Sequence, residues 1–129
     1  MKFKAVIPIA ILLFSSFMAI NAQTVTETNS KEVFAMLQNT KKWVVLDVRT
    51  PGEFSQGHIK GAINIDINQP DALKSIGKLD HKAKYIVHCR TNRRSKIAVD
   101  YMTQNGFKTV YQMMDGMNGW MQNQLPTEK

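Results

Sequence analysis

The stretch that decides the fold is WVVLDVRTPGE, residues 43–53. Its first six residues are almost all apolar and many are β-branched, which is typical of a strand covered on both faces in a parallel sheet. Thr50, Pro51 and Glu53 then occupy the N-cap, first and third positions of a predicted helix, where each of these residue types is favoured. A buried strand that leads directly into a helix indicates an α/β domain.

The same alternation extends along the chain on both sides of this stretch. Upstream, Asn29 as N-cap with Glu32 three residues later predicts a helix start. Downstream, we expect Gly57 to end the first helix and Gly106 to close a longer one. We predict further strands at 24–26, 62–65, 85–88 and 109–113, and helices at 70–76, 95–105 and 119–124. This order favours a layered α/β domain with a mainly parallel sheet.

The sole cysteine, Cys89, follows the strand predicted at 85–88. Ligands of open α/β sheets bind at the carboxyl ends of strands, beside helix N-termini. The segment that leads to the next helix reads Cys89-Arg90-Thr91-Asn92-Arg93-Arg94-Ser95. We expect its backbone N–H groups to form an anion cradle, to which the helix N-terminus and three arginines add positive charge. These surroundings favour the thiolate, which is the nucleophilic form of cysteine.

Two interpretations of Cys89 compete. On its count alone, a single cysteine is best interpreted as a small, inert core residue. Its cationic neighbours favour instead a reactive, exposed thiol at a functional site.

Residues 1–22 have the layout of a cleavable signal peptide. Lys2 and Lys4 precede an apolar run, and the small residue Ala22 stands at the expected cleavage site. The run is shorter than the roughly 20 residues that span a bilayer as a helix, so we expect no stable membrane anchor. We therefore predict a signal peptide at 1–22, one domain at 23–129, and a periplasmic or secreted protein. An uncleaved anchor is the alternative.

Three segments resemble the signatures of rhodanese-homology domains. The first comprises LDVRTPGEF (46–54) and GHIKGAINI (57–65), and the second is CRTNRRS (89–95). The closing segment runs from Val110 to Met114 and continues with Gly116, Gly119, Trp120 and Leu125-Pro126. Together they cover nearly all of residues 23–129.

The resemblance implies a three-layer α/β/α rhodanese fold, with a five-stranded, mainly parallel sheet and helices on both faces. It implies transfer of sulfane sulfur, typically from thiosulfate to cyanide or a thiol, through a persulfide on the cysteine. The implied partners are a small anionic sulfur donor and a thiol or protein-thiol acceptor. Neither a metal nor an organic cofactor is implied.

The resemblance also assigns roles to residues. Cys89 is expected to be the catalytic nucleophile, and the expected substrate-binding residues are Arg90, Thr91, Asn92, Arg93, Arg94 and Ser95. Among these, we expect Arg94 to bind the anion and Ser95 to be the N-cap of the following helix. Asp47, Arg49 and His58 are expected to be structural residues near the site. Asn92 stands where the family often has glycine, and asparagine tolerates the left-handed backbone region better than most residues.

Two other functions remain open. A cysteine phosphatase or arsenate reductase would carry an arginine at the sixth residue after its cysteine, whereas this chain has Arg94 at the fifth and Ser95 at the sixth. A loop shorter by one residue makes a smaller ring of N–H donors, which suits a lone sulfur better than a phosphoryl group. A non-catalytic sulfur-carrier or partner-binding module is the second alternative, although such modules commonly lose the cysteine.

Composition argues against two further classes. The net charge of +7 comes from 17 basic and 10 acidic residues without a dense basic stripe, so we expect no nucleic-acid binding. Four methionines, Met113, Met114, Met117 and Met121, could suggest copper binding through soft thioethers. Their strand and helical spacing favours ordinary packing, and we expect no metal. We expect the domain to be a monomer.

Overall fold

The computed structural model describes residues 2–5, 24–40 and 42–129. The predicted signal peptide therefore lies almost entirely outside the described residues. In the described ranges, no helix has the length and apolar character needed to cross a membrane.

Strands and helices alternate along the described chain. In chain order the elements are β1 (Thr26–Thr28), α1 (Ser30–Asn39), β2 (Trp43–Asp47), α2 (Pro51–Gln56), β3 (Ile63–Asn64), α3 (Ala72–Gly77), β4 (Lys84–His88), α4 (Arg93–Gln104), β5 (Thr109–Met113) and α5 (Gly116–Gln122). The predicted N-caps Asn29 and Thr50 both accept a hydrogen bond from the backbone of the glutamate three residues later.

The strands form one sheet in the order β1-β5-β4-β2-β3. Every neighbouring pair is parallel, so the prediction of a five-stranded, mainly parallel sheet is confirmed. The apolar strands β2 and β4 lie at its centre, where both faces are covered. This position explains why their sequences do not alternate between polar and apolar residues.

Side chains of the central strands alternate between two hydrophobic clusters. Leu46 and Val87 pack with residues of α3 and α4 on one face of the sheet. Val45 and Ile86 pack with residues of α1 and α5 on the other. The period of two along each strand thus places helices on both faces and produces three layers.

Element boundaries differ from the predicted ones at two places near the cysteine. Helix α4 begins at Arg93 with Asn92 as its N-cap, so the prediction that Ser95 is the N-cap is wrong. The backbone turns earlier than predicted, because Lys96 N donates to Asn92 O at 3.1 Å and closes the first helical turn. Helix α5 begins three residues earlier than predicted, at Gly116.

The connections of the sheet diverge at its carboxyl edge. The chain leaves β2 towards β3, whereas it leaves β4 towards β5 on the opposite side. Strands β2 and β4 are neighbours, and such a divergence is where open α/β sheets bind ligands. Asp47 ends β2 and Cys89 follows β4, so both lie at this edge.

Candidate active site

Cys89 is buried at the carboxyl end of β4, with 1% of the residue exposed. It belongs to the hydrophobic cluster between the sheet and α4. The expectation of an exposed thiol is therefore wrong, because the last residue of this apolar segment continues the packing of the strand. Its Sγ nevertheless reaches the loop, where it lies 3.6 Å from Ser95 Oγ.

In the loop that begins at Cys89, the first two backbone carbonyls are hydrogen-bonded, whereas the backbone N–H groups are not bonded to any described residue. The carbonyls of Cys89 and Arg90 accept hydrogen bonds from Met117 N and Asn118 N of α5, at 2.9 and 3.0 Å. The N–H groups of residues 90–95, in contrast, donate no hydrogen bond to any residue that the structure describes. Consecutive free donors at a helix N-terminus are typical of an anion-binding cradle.

No side chain competes for these donors at the start of α4. Asn92 makes no capping hydrogen bond, and its side-chain amide donates instead to Met114 O at 3.2 Å. The backbone of Asn92 has φ of −144°. The left-handed conformation for which asparagine is suited is thus not used, and the loop turns without it.

The arginines of the loop are not equivalent. Arg90, Thr91 and Arg93 are exposed, Asn92 and Arg94 are half-buried, and Ser95 is buried. Arg94 donates two hydrogen bonds to the carboxylate of Glu53, at 2.7 and 3.0 Å. These hydrogen bonds are the main reason why the pKa of Glu53 falls from 4.5 to about 2. Among the described residues, Arg94 is thus paired with a carboxylate, whereas Arg90 and Arg93 form no salt bridge, so the expectation of three unpaired cations is wrong for Arg94.

Arg94 keeps the capacity to bind an anion. A guanidinium has five N–H donors, and the pair with Glu53 uses two of them. The pKa of Arg94 is raised, first by the hydrogen bond to Glu53 and to a smaller degree by the charge of Cys89.

Glu53 is a site residue that sequence reasoning missed. The sequence pattern places Glu53 only in the first turn of a helix. There its backbone N–H donates to Thr50 Oγ1 and completes the N-cap. Its carboxylate, however, joins α2 to α4 across 41 residues of sequence. No local pattern carries that information.

A cluster of buried polar side chains lies at the carboxyl ends of β2 and β4. Asp47 and Arg49 form a salt bridge at 2.7 Å, and the same guanidinium donates to Gly57 O at 2.9 Å. His88 is fully buried beside them, with Nδ1 3.0 Å from Cys89 O and Nε2 3.6 Å from Asp47 Oδ2. Because a carbonyl only accepts, Nδ1 must carry the proton, and Nε2 is left without a hydrogen-bond partner in the described part of the chain.

His88 is the second residue that sequence reasoning missed. Desolvation by burial lowers its pKa below the ordinary value of 6.5, and this outweighs the attraction of Asp47. The imidazole beneath the cysteine is therefore neutral at neutral pH.

His58 holds the turn after α2 in place. Its ring stacks on Phe54 at 3.7 Å between centroids, and its Nδ1 lies 2.9 Å from Phe54 O. Its Nε2 lies 3.4 Å from Glu128 Oε1. Within the described residues, none of its hydrogen bonds reaches the cysteine loop.

Outside this loop, the described residues form a groove but no cluster of metal ligands. Among the described residues, no group of three or more His, Cys, Asp or Glu side chains could hold a metal ion. Met113 and Met117 are buried in the cluster with Trp120, whereas Met121 is exposed. A groove of about 670 Å³ lies over α1 and α5, lined by residues that include Phe34, Trp43 and Trp120, and no residue of the cysteine loop lines it.

The fold and the site together define the class of protein. It is a parallel α/β domain that holds a cysteine at the start of a strand-to-helix loop whose N–H donors have no acceptor among the described residues, an arrangement suited to the chemistry of a thiolate and an anion.

Comparisons with known proteins identify the family. The sequence profile of the rhodanese-like domain matches residues 30–123. The chain is 37% identical over 93 residues to thiosulfate sulfurtransferase 16 of Arabidopsis thaliana, covering 64% of this chain and 78% of the relative. It is 28% identical over 106 residues to the thiosulfate sulfurtransferase GlpE of Glaesserella parasuis, and the match covers 82% of this chain and 95% of the relative.

A solved structure of a rhodanese-related protein of Thermoplasma volcanium is similar with a TM-score of 0.71 and 27% identity. The similarity covers 80% of this chain and 97% of that one. The chain belongs to the rhodanese-like domain family.

The neutral state of His88 predicts a loss of stability in mild acid. Below pH 6.5 an unfolded histidine takes up a proton that the native His88 does not, so the unfolded state is favoured as the pH falls. We expect the free energy of unfolding to decrease by up to about 1.4 kcal/mol per pH unit. Urea denaturation between pH 7.5 and 5 measures this slope, and His88→Asn should make it shallower. Because the pKa of Glu53 falls from 4.5 to about 2 on folding, its protonation changes the free energy of unfolding mainly below pH 4.5, outside the range from pH 7.5 to 5. Equal slopes for the two proteins would contradict the assignment.

Proposed function

We propose that the chain is a sulfurtransferase that forms a persulfide on Cys89. The Cys89 thiolate attacks the outer sulfur of thiosulfate or a related donor, the S–S bond of the donor breaks, and sulfite leaves with the bonding electron pair. Cyanide or a thiolate then attacks the outer sulfur of the persulfide, which regenerates the Cys89 thiolate and releases thiocyanate or a new persulfide.

The free N–H donors of residues 90–95 are the single observation that carries this proposal. Both the attacking thiolate and the persulfide product are anions, and fixed donors stabilise a charge without having to reorganise. Such donors are of no use to an inert core cysteine. They therefore support the catalytic interpretation of Cys89 over the structural one.

Burial of Cys89 limits the donor to a small anion. Only 1% of the residue is exposed, while Arg90 and Thr91 at the tip of the loop are exposed. A small donor needs less movement of the loop than a bulky one. The names of the Arabidopsis and Glaesserella relatives support thiosulfate as the donor.

The position of Arg94 supports a sulfur substrate over a phosphoryl group. Arg94 is the fifth residue after Cys89 and is oriented by Glu53 across the cleft. No observation at the site favours phosphatase chemistry, and the family match weighs against it.

Treatment with thiosulfate is expected to add one sulfur atom to the protein. Intact-mass spectrometry measures the addition, and sulfite release measures the first half of the reaction. Cys89→Ser should show neither, because it removes the sole thiol of the chain.

Two further measurements distinguish the alternatives. Repeated turnover with cyanide or a thiol is expected, and a loaded protein without turnover would indicate a sulfur carrier. Hydrolysis of an aryl phosphate by the wild type, without sulfur loading, would indicate a phosphatase. Sulfur release by Cys89→Ser would refute the persulfide mechanism.

Arg94→Ala is expected to raise the KM for thiosulfate about tenfold, since a hydrogen bond to a charged group contributes roughly 1.5–3 kcal/mol. Steady-state kinetics measure the effect. Glu53→Gln is the matched control, because it weakens the ion pair but leaves the guanidinium. If both variants change KM equally, Arg94 acts only through the ion pair and does not bind the donor.

We also infer that the protein is exported, because the lysines and apolar run of residues 1–22 have the layout of a signal peptide. The native protein purified from its source is expected to lack these residues. Its intact mass measures this, and a mass that includes Met1 would contradict export.

A further inference from the structure

A buried glutamine on β5 contacts the cysteine loop from the side of the sheet. Gln112 is 5% exposed, and its Nε2 lies 3.0 Å from Asn92 O and 2.9 Å from Ser95 Oγ. Asn92 caps α4 and Ser95 is the residue that contacts Cys89 Sγ. Gln112 thus connects the start of the helix with the partner of the sulfur.

The chemistry of the partners fixes the direction of each hydrogen bond. A backbone carbonyl only accepts, so the end of Gln112 that faces Asn92 O must be its NH2 group. The same NH2 group then donates to Ser95 Oγ. The proton of the Ser95 hydroxyl is therefore not used by Gln112 and is free to point elsewhere.

The Ser95 proton has two acceptors within reach. It donates to Asn92 O at 3.2 Å, while Cys89 Sγ lies 3.6 Å from Ser95 Oγ. Asn92 O also accepts from Gln112 Nε2 and from Lys96 N, the latter at 3.1 Å. If the Ser95 proton turns away, this carbonyl keeps two donors and is not left unsatisfied.

We propose that Gln112 is a positioning residue that frees the Ser95 hydroxyl to donate to the Cys89 thiolate. When Cys89 is a thiol, its S–H donates to Ser95 Oγ and the serine proton lies on Asn92 O. When the thiol loses its proton to a base in solution, the serine O–H rotates towards sulfur, and Ser95 neither gains nor loses a proton. This inference rests on the proposed function, since it specifies how the thiolate of that reaction is stabilised.

Gln112→Met and Ser95→Ala neither add nor remove a charge. The charged side chains at this edge of the sheet include the pair of Arg94 with Glu53, the pair of Asp47 with Arg49, and the exposed Arg90 and Arg93, while the buried His88 is neutral. A change in the titration of Cys89 in these two variants would therefore report the hydrogen bonds and not a change of these charges.

The test is a titration of the Cys89 thiolate by its ultraviolet absorbance, which is unambiguous because the chain has one cysteine. Gln112→Met keeps the length of the side chain but removes its donors, so Asn92 O holds the serine proton more firmly. We expect the midpoint of the titration to rise by about one pH unit, the amount that one hydrogen bond to a charged group provides. Sulfur transfer should fall at neutral pH and recover at higher pH.

A double-mutant cycle shows whether Gln112 acts through Ser95. Ser95→Ala should raise the midpoint by itself, and adding Gln112→Met should then change it no further. An equal shift from Gln112→Met with and without Ser95 would overturn the proposal, as would no shift at all in the wild-type background. Thr103→Val, which removes another hydroxyl bonded to a carbonyl within α4, is the control and should leave the midpoint unchanged.

Gln112→Glu provides a second variant in case Gln112→Met does not fold. Its carboxylate accepts the Ser95 proton and competes with sulfur for it, and its negative charge also opposes the thiolate, so the midpoint should rise further than in Gln112→Met. The effect that passes through the hydroxyl is isolated in a second cycle: Gln112→Glu should shift the midpoint less in the Ser95→Ala background than in the wild type, and equal shifts would overturn the proposal. The titration does not require sulfur transfer. If the midpoints shift as expected while thiosulfate loads no sulfur, the proposed function fails and the positioning role stands. If thiosulfate loads sulfur normally while the midpoints do not move, the proposed function stands and the positioning role of Gln112 fails.

Discussion

The separation of hydrogen-bond donors from acceptors in residues 89–95 is the constraint on which the site depends. A buried or partly buried backbone normally pairs both groups. Here the first two carbonyls are bound by α5, which fixes the direction of the backbone and leaves its N–H groups without an acceptor among the residues that the structure describes. A loop free to pair its own donors would have no capacity left for an anion.

Close approach of α5 makes this separation possible. Gly116 begins the helix with φ of +57°, and a side chain there would collide with the carbonyls of Arg90 and Thr91. Glycine is therefore required both by its backbone conformation and by the distance to the loop. The closing segment of the sequence thus contributes to the site without supplying a reactive group.

The sequence predicted the fold well because its signals are local. The apolar run at 43–48 and the N-cap residue Thr50 each predict the secondary structure of the residues next to them. The structure confirms both, as β2 and as the start of α2. The pairing of Arg94 with Glu53 and the role of Gln112 depend on contacts between segments distant in sequence. The sequence does not predict the burial of Cys89 for a related reason, since its neighbours Arg90 and Arg93 are exposed while Cys89 itself packs against α4.

The charges at the carboxyl edge of the sheet are largely paired. Asp47 and Arg49 form a salt bridge, His88 is neutral because burial lowers its pKa, and Arg94 is paired with Glu53. The exposed Arg90 and Arg93 act largely through solvent, where salt screens charges beyond about 8–10 Å. In the proposed reaction, these arginines would attract the anionic donor to the loop. In the same reaction, the hydroxyl of Ser95, whose Oγ lies 3.6 Å from Cys89 Sγ, is placed to stabilise charge on the sulfur. The N–H groups of residues 90–95, which have no acceptor among the described residues, remain available to the bound donor and the persulfide.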